Sequence, residues 1–380
     1  MSHEQGALGP LFLFVKGAEM SCTLCSIAEV VVAAVLLVIV AVCALRWYFH
    51  VPYNADEIHW AKTEDGFHLA LHRRKPVQQR FVEPVVLCHG LGANRYNLDF
   101  PGHSLAQYFA ERGYDVWVCE LRNCGRSQRP RPWNGLNPRW TFDDLLAKDV
   151  PAILAKVREV TGQKEVLWAG HSMGGMLMYA YLGQGGKGVR AAFALASPST
   201  WPGYEWTYGL FKLMHLIKPF PIMRQEPFAP IAAAMHGIYT PKIMLKMANA
   251  ENLEVAFTRR IIVNVAANHS WNLMAQFGRW IKEKHFRSMD DRIDYLESIR
   301  NIRVPFGFAA GSADQLAPPQ SVLAAYERCA SPDKVYREFG CKTGAKADYG
   351  HGDIVFAKSA IEEVFPFVEG FLHSHATPNA

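Results

Sequence analysis

EVLWAGHSMGGMLMY, residues 165–179, frames the reading of the whole chain. Glu165 to Ala169 has the make-up of a buried strand. Gly170, His171, Ser172, Met173, Gly174 and Gly175 follow at once, and Met176 to Tyr179 continues as a helix. A serine in G-x-S-x-G between strand and helix sits on a turn so tight that side chains two places to either side would clash, which calls for glycine at 170 and 174. The turn lifts the Ser172 hydroxyl above a sheet at a helix N-terminus. Without its flanks the five-residue pattern is common by chance; with them it makes Ser172 the expected nucleophile. His171 is adjacent to the serine but points away from its hydroxyl, and is assigned to packing.

A nucleophilic serine needs an oxyanion hole, an acid and a base, and these are sought to either side of the elbow. Upstream, Val85 to Cys88 leads into His89, Gly90, Leu91 and Gly92, a glycine-bearing loop able to bring amides close to a developing negative charge. The backbone N–H groups of Leu91 and Met173 are the expected oxyanion pair, and His89 is expected to orient the loop. Downstream, Val304 to Ala309 runs into Ala310-Gly311-Ser312-Ala313-Asp314 before a proline-opened helix. Asp314 is the expected acid, an ordinary helix N-cap being the alternative. His351, between Gly350 and Gly352, is the histidine that lies between the last strand and the C-terminal helix, and is the expected base. Asp314 would fix the imidazole tautomer, and His351 would take the proton of Ser172, so that hydrolysis rises as the imidazole loses its proton. Asp353 is an alternative acid that more easily braces the loop.

Beyond about residue 50, short β-rich runs alternate with helical patterns, the mark of an α/β chain with a mostly parallel sheet flanked by helices. Strands are predicted at Phe67–His72, Pro84–Cys88, Asp115–Glu120, Glu165–Ala169, Ala191–Ala196, Val304–Ala309 and Lys334–Glu338. A helix is predicted from Pro151 to Val160, capped by Asp149. From 198 to 288 the alternation gives way to Trp, Phe, Met and Pro at helical spacings such as Ile243, Met247 and Trp271, Met274. This segment reads as a helical cap inserted after the sixth core strand. The domains are therefore 1–50, 51–197 (core, first part), 198–288 (cap) and 289–380 (core, second part).

Within 1–50, Val30 to Leu45 carries no charge, lies between Glu29 and Arg46, and is followed by Trp47, Tyr48 and Phe49. With its flanks, the run from about 27 to 49 reaches the ~20 residues a bilayer span requires. It lies far from the first residue and lacks both a basic leader and a small-residue cleavage site, which favours a single-pass anchor over a signal peptide. Arg46 and Lys62 against Lys16 place the catalytic part weakly on the cytosolic side. A net charge of +5 spread along 380 residues gives no reason to expect nucleic acid. Eight irregularly spaced cysteines suggest neither a disulfide framework nor a metal site, and Cys22 and Cys25 read as inert thiols. The sequon at Asn268, His269, Ser270 matters only in a glycosylating compartment.

These motifs together resemble the α/β-hydrolase superfamily, most closely its acid-lipase branch of lysosomal and gastric lipases. H-G-L-G at His89 to Gly92, G-Y-D-V-W at Gly113 to Trp117 with Arg122 after it, and D-V-P-A at Asp149 to Ala152 carry the resemblance. So do T-G-Q-K at Thr161 to Lys164, G-H-S-M-G at the elbow, D-Q-L-A at Asp314 to Ala317, H-G-D at His351 to Asp353 and N-L-M-A-Q-F-G-R-W at Asn272 to Trp280. The resemblance covers most of Trp60 to Phe371. It implies a lipase or esterase acting on small apolar or lipid-like esters, with no metal and no organic cofactor. The chain departs from that branch at Met173, where glutamine is usual, at Gly352, where a bulky residue is usual, and in carrying an anchor instead of a secretory signal. A thioesterase or acyltransferase would use the same triad. A non-catalytic, membrane-tethered binding module is the reading from another class. Epoxide hydrolases and dehalogenases carry aspartate at the elbow and are disfavoured by Ser172.

Overall fold

The computed structural model describes residues 9–203, 220–241 and 245–379, with side chains from residue 27 onward. It divides into two compact units, residues 1–50 and 51–380. In the first unit, α1 spans Gly9–Phe49, and its part from Ile27 to Phe49 is a 23-residue stretch of mean hydropathy 3.0, long and apolar enough to cross a membrane.

The second unit is built on an eight-stranded sheet: β1 (Glu57–Lys62), β2 (His68–Arg74), β3 (Val85–Cys88), β4 (Val116–Cys119), β5 (Val166–His171), β6 (Val189–Leu195), β7 (Phe306–Gly311) and β8 (Lys334–Phe339). Their spatial order is β1-β2-β4-β3-β5-β6-β7-β8. β1 and β2 are antiparallel to their neighbours, whereas β3 to β8 are mutually parallel. Covered on both faces, β3 and β4 read as unbroken apolar runs, Val85-Val86-Leu87-Cys88 and Val116-Trp117-Val118-Cys119, every residue of which is buried. Each predicted strand is present, shifted by at most two residues. β1 has no predicted counterpart, because Glu57-Ile58-His59-Trp60-Ala61-Lys62 mixes charge into a half-exposed edge.

Helices α2 (Leu105–Glu111), α3 (Val150–Thr161), α4 (Met173–Gly183), α8 (Pro319–Arg328) and α9 (Lys358–His373) connect or follow the strands. The predicted cap at Asp149 does not form: Asp149 already has helical backbone angles and makes no side-chain cap bond. Its carboxylate instead accepts from Arg122 N (3.0 Å) and Nε (2.8 Å). Between β6 and β7 the chain leaves the sheet and forms α5 (Ala229–Met235), α6 (Val255–Val265) and α7 (Trp271–Glu283). Trp271 and Met274 lie on α7 as their spacing suggests. Ile243 lies outside the described residues, and Met247 stands in a turn, not a helix.

Parallel register brings the carboxyl ends of the central strands level. Cys88 faces Gly170 across β3 and β5, His171 faces Leu195 across β5 and β6, and Ala309 faces Leu195 across β6 and β7. Loops leaving these ends therefore converge on one edge, where ligands of open parallel sheets bind.

Candidate active site

Ser172 is the first residue beyond β5 and immediately precedes α4. Its backbone sits at φ 53° and ψ −118°, a region that residues with a Cβ seldom adopt, and its N–H is held by the Leu195 carbonyl at 2.8 Å. A Cβ on Gly170 would lie 2.2 Å from the Gly174 carbonyl carbon, and one on Gly174 would lie 2.3 Å from the Cys88 oxygen. The glycines on both sides of the serine are thus sterically required. Gly175 is as well, since a Cβ there would come within 2.2 Å of Ser197 Oγ, a demand the motif alone did not reveal.

Asp314 and His351 leave β7 and β8 on separate loops and meet, with His351 Nδ1 and Asp314 Oδ2 2.8 Å apart. The other aspartate oxygen, Oδ1, accepts from the amides of Leu316 and Ala317, both at 2.7 Å. The N-cap alternative therefore fails: α8 opens five residues later, with no side-chain cap. An ionised aspartate accepts only, so Nδ1 carries the imidazole proton and Nε2 is left as the basic nitrogen. Ser172 and His351 both line one cavity of about 580 Å³. No Ser172–His351 hydrogen bond forms among the described residues; such bonds often tighten only when substrate binds.

The loop bearing His351 is held from two sides. Asp353, fully buried, accepts from Gly350 N (3.0 Å) and Asn249 N (2.8 Å) through Oδ1, and from Asn252 Nδ2 (2.6 Å) through Oδ2. Gly352 N donates to the Met247 carbonyl at 2.7 Å, and a Cβ at position 352 would stand 3.0 Å from that oxygen. This close crossing leaves little room for a side chain at position 352. On the other side lies His171. Its Nε2 is 2.9 Å from the His351 carbonyl and its Nδ1 is 3.0 Å from Asn97 Oδ1. Burial first, and then the nearby His351, push its pKa down to about 3, and in the neutral form its single N–H can donate to only one of these two oxygens.

His89 Nε2 accepts from Leu121 N at 3.1 Å, which leaves Nδ1–H to donate to the Gly90 carbonyl at 2.8 Å. Gly90 N in turn donates to Asn97 Oδ1 (3.0 Å), and Gln225 Nε2 donates to the Gly92 carbonyl (2.7 Å). With its neighbours tied down, Leu91 presents an amide that has no acceptor among the described residues. Met173 N, in the first turn of α4, has none either. Leu91 lines the cavity; Met173 is buried and does not. The rest of the wall is largely apolar and comes from the segment between β6 and β7, including Phe228, Ala232, Leu253, Ile261 and Val265.

Sequence reading missed Asn97 and Gln225, whose roles depend on contacts with distant segments, and two buried charge clusters. Glu120, wholly buried beside the loop that carries Leu91, takes His72 Nε2 (3.0 Å), Arg95 Nη1 (2.8 Å) and the Arg126 amide (2.7 Å). Despite desolvation, these donors lower its pKa to about 2. Arg122 bridges Asp149 and Asp65, its Nη1 lying 2.8 Å from Asp65 Oδ2. Asn268 of the sequon is buried and its Oδ1 accepts from Gln225 N (2.8 Å) and Glu226 N (3.0 Å), so in the folded chain it is a structural residue. Among the described side chains, Cys43, Cys88, Cys119, Cys124, Cys329 and Cys341 are free thiols. Cys22 and Cys25 lie outside them.

Sheet order, the strained serine and the glycine cradle around it give this chain the α/β-hydrolase fold. The alpha/beta hydrolase fold family model matches residues 83–217. By sequence the chain is similar to lipases. It is 30% identical over 154 residues to lipase lipl-3 of Caenorhabditis elegans, covering 37% of this chain and 38% of that protein. It is 24% identical over 357 residues to the gastric triacylglycerol lipase of Bos taurus, covering 82% and 86%. At 30% identity and above, the chain spans about two fifths of the length of the curated relatives it matches. Among solved structures it is similar to a thermophilic esterase from Thermogutta terrifontis, with a TM-score of 0.58, 15% identity, and 84% and 100% of the two chains covered.

Proposed function

We propose that this chain is a serine carboxylic ester hydrolase, a lipase or esterase, acting on apolar, lipid-like esters. One observation carries the reading: an aspartate-bound imidazole, His351, shares an apolar cavity with a serine held in the strained elbow. Ser172 Oγ attacks the ester carbonyl as His351 Nε2 takes its proton, and Asp314 stabilises the resulting imidazolium. The oxyanion of the tetrahedral intermediate is held by the amides of Leu91 and Met173. Collapse expels the alkoxide, which leaves as the alcohol with the proton from His351. Water then attacks the acyl-enzyme with His351 again as base, releasing the acid and restoring Ser172. No metal and no cofactor enters these steps. Residues 198–288 act as the cap that supplies the acyl-binding wall. Acyl transfer or thioester cleavage would use the same acyl-enzyme and differ in leaving group or acceptor.

The lipases to which the chain is similar support this reading, as does the apolar wall. We further infer that the helix at 27–49 is a single-pass anchor, with the catalytic part on the cytosolic side where Arg46 and Lys62 lie. A panel of esters of increasing acyl length, assayed with and without detergent micelles, tests the proposal. Wild type hydrolyses esters with medium to long acyl chains, and Ser172→Ala does not. Equal hydrolysis by both would overturn it.

A further inference from the structure

Between Glu120 and Asp143 the chain holds five arginines and no acidic residue. Two of the five are neutralised internally: Arg122 by Asp149 and Asp65, and Arg129 by Glu226 at 2.9 Å. Arg126, Arg131 and Arg139 are exposed and form no ion pair among the described residues. In their midst stands Trp133, 79% exposed, while Trp140 a few residues on is buried. An indole held out in water is unusual for so large an apolar group.

The loop is built to hold it there. Asn134 Oδ1 accepts from Arg131 N (2.9 Å) and Leu136 N (3.3 Å), and its Nδ2 donates to the Arg129 carbonyl (2.8 Å). Gly135 takes φ +69°, and Leu136 tucks into the core. Trp133 therefore projects from a rigid turn. The Arg129–Glu226 pair ties this turn to the segment that carries Gln225 and Phe228 on the cavity wall. In that same segment Phe220 and Phe228 are exposed at 65% and 64%.

We propose that the loop at 126–139 is a docking surface for anionic phospholipid. Tryptophan settles at the headgroup level of a bilayer because its ring is apolar and its N–H polar, and unpaired arginines are drawn to anionic headgroups. A chain that carries a helix able to cross a bilayer meets such a surface continually. Docking through this loop holds the cavity rim at the lipid, and the preference for anionic headgroups suits the cytoplasmic leaflet. The proposal does not depend on the hydrolase chemistry, because its test reads binding alone.

Full-length protein is reconstituted into nanodiscs of phosphatidylcholine, with or without about 30 mol % phosphatidylserine, a content that makes the surface negative. Amide hydrogen exchange is then followed by mass spectrometry in peptides covering 126–139. Exchange there slows severalfold in the anionic discs and recovers in high salt, which screens the attraction. In the double variant Arg131→Gln/Arg139→Gln the ratio of docked to free loop falls about 30-fold, two exposed charges lost at a membrane surface, and the slowing disappears. Both side chains lie on the surface, so the variant folds as wild type, and unchanged exchange in β5 verifies this. Equal exchange in the two lipids, or slowing that the double variant retains, overturns the proposal.

Discussion

Replacing Asp314 with asparagine probes the proposed triad with almost no change of shape. Two amides, Leu316 N and Ala317 N, point at Oδ1 from 2.7 Å and accept no substitute for an oxygen there. An asparagine must then keep its carbonyl oxygen at that position and turn its NH2 toward His351 Nδ1. The imidazole has to accept at Nδ1, its proton moves to Nε2, and the nitrogen needed to take the serine proton is blocked. Wrong-tautomer histidines in serine hydrolases cost on the order of 10⁴ in kcat, or about 5.5 kcal/mol of transition-state stabilisation. Because the backbone donors stay satisfied, stability falls far less, by about 1 kcal/mol for one weakened hydrogen bond. The assay is kcat on a soluble chromogenic ester beside urea unfolding of wild type and variant. Activity within tenfold of wild type in a folded Asp314→Asn protein would refute the assignment of Asp314.

Other expectations follow from the same geometry. Asp353→Asn leaves buried donors from Gly350 and Asn252 poorly matched, and should lower kcat at least tenfold with KM little changed, at about 2 kcal/mol in stability; steady-state kinetics read the split. Arg122→Met strands the Asp149 carboxylate in the core and should cost about 3–5 kcal/mol, measured by denaturant midpoint. Gly174→Ala drives a methyl against the Cys88 oxygen and should cost about 3 kcal/mol or yield insoluble protein, seen in expression and unfolding. His171 and His269 are held by burial at about 3 and about 4, below the usual 6.5. Between those values and 6.5 the unfolded chain binds more protons, so their contribution is complete above pH 6.5 and is lost as pH falls, at roughly 1.4 kcal/mol per unit for each. Unfolding midpoints at pH 7, 6 and 5 check the slope.

Much of the fold could be read from local pattern. Strands covered on both faces are continuous apolar runs, and the elbow's glycines sit beside the serine in sequence, so β5, Ser172 and α4 were legible together. Asp314 and His351 were legible through their place after strands and through the family resemblance. What escaped has long-range causes. β1 is an edge strand whose charges pair across it, as Arg73 Nη1 does with Glu57 at 2.9 Å, and so carries no apolar signal. Asp149 looked like a helix cap because aspartate before proline usually is one; a buried arginine 27 residues earlier claims it instead. Asn97 and Gln225 look like ordinary surface amides until tertiary contacts set them against the loop of Leu91. In the segment between β6 and β7, an apolar spacing that suggested a helix at Met247 yields a turn, because residues 247–252 are engaged in clasping the His351 loop.

In the proposed mechanism Ser172 attacks the acyl carbon. Intact-mass and peptide analysis after treatment with a fluorophosphonate addresses that step directly. One adduct on the peptide containing Ser172 is expected, absent from Ser172→Ala and strongly slowed in His351→Ala. An adduct on another residue, or ester hydrolysis by wild-type protein that is never labelled, would contradict it.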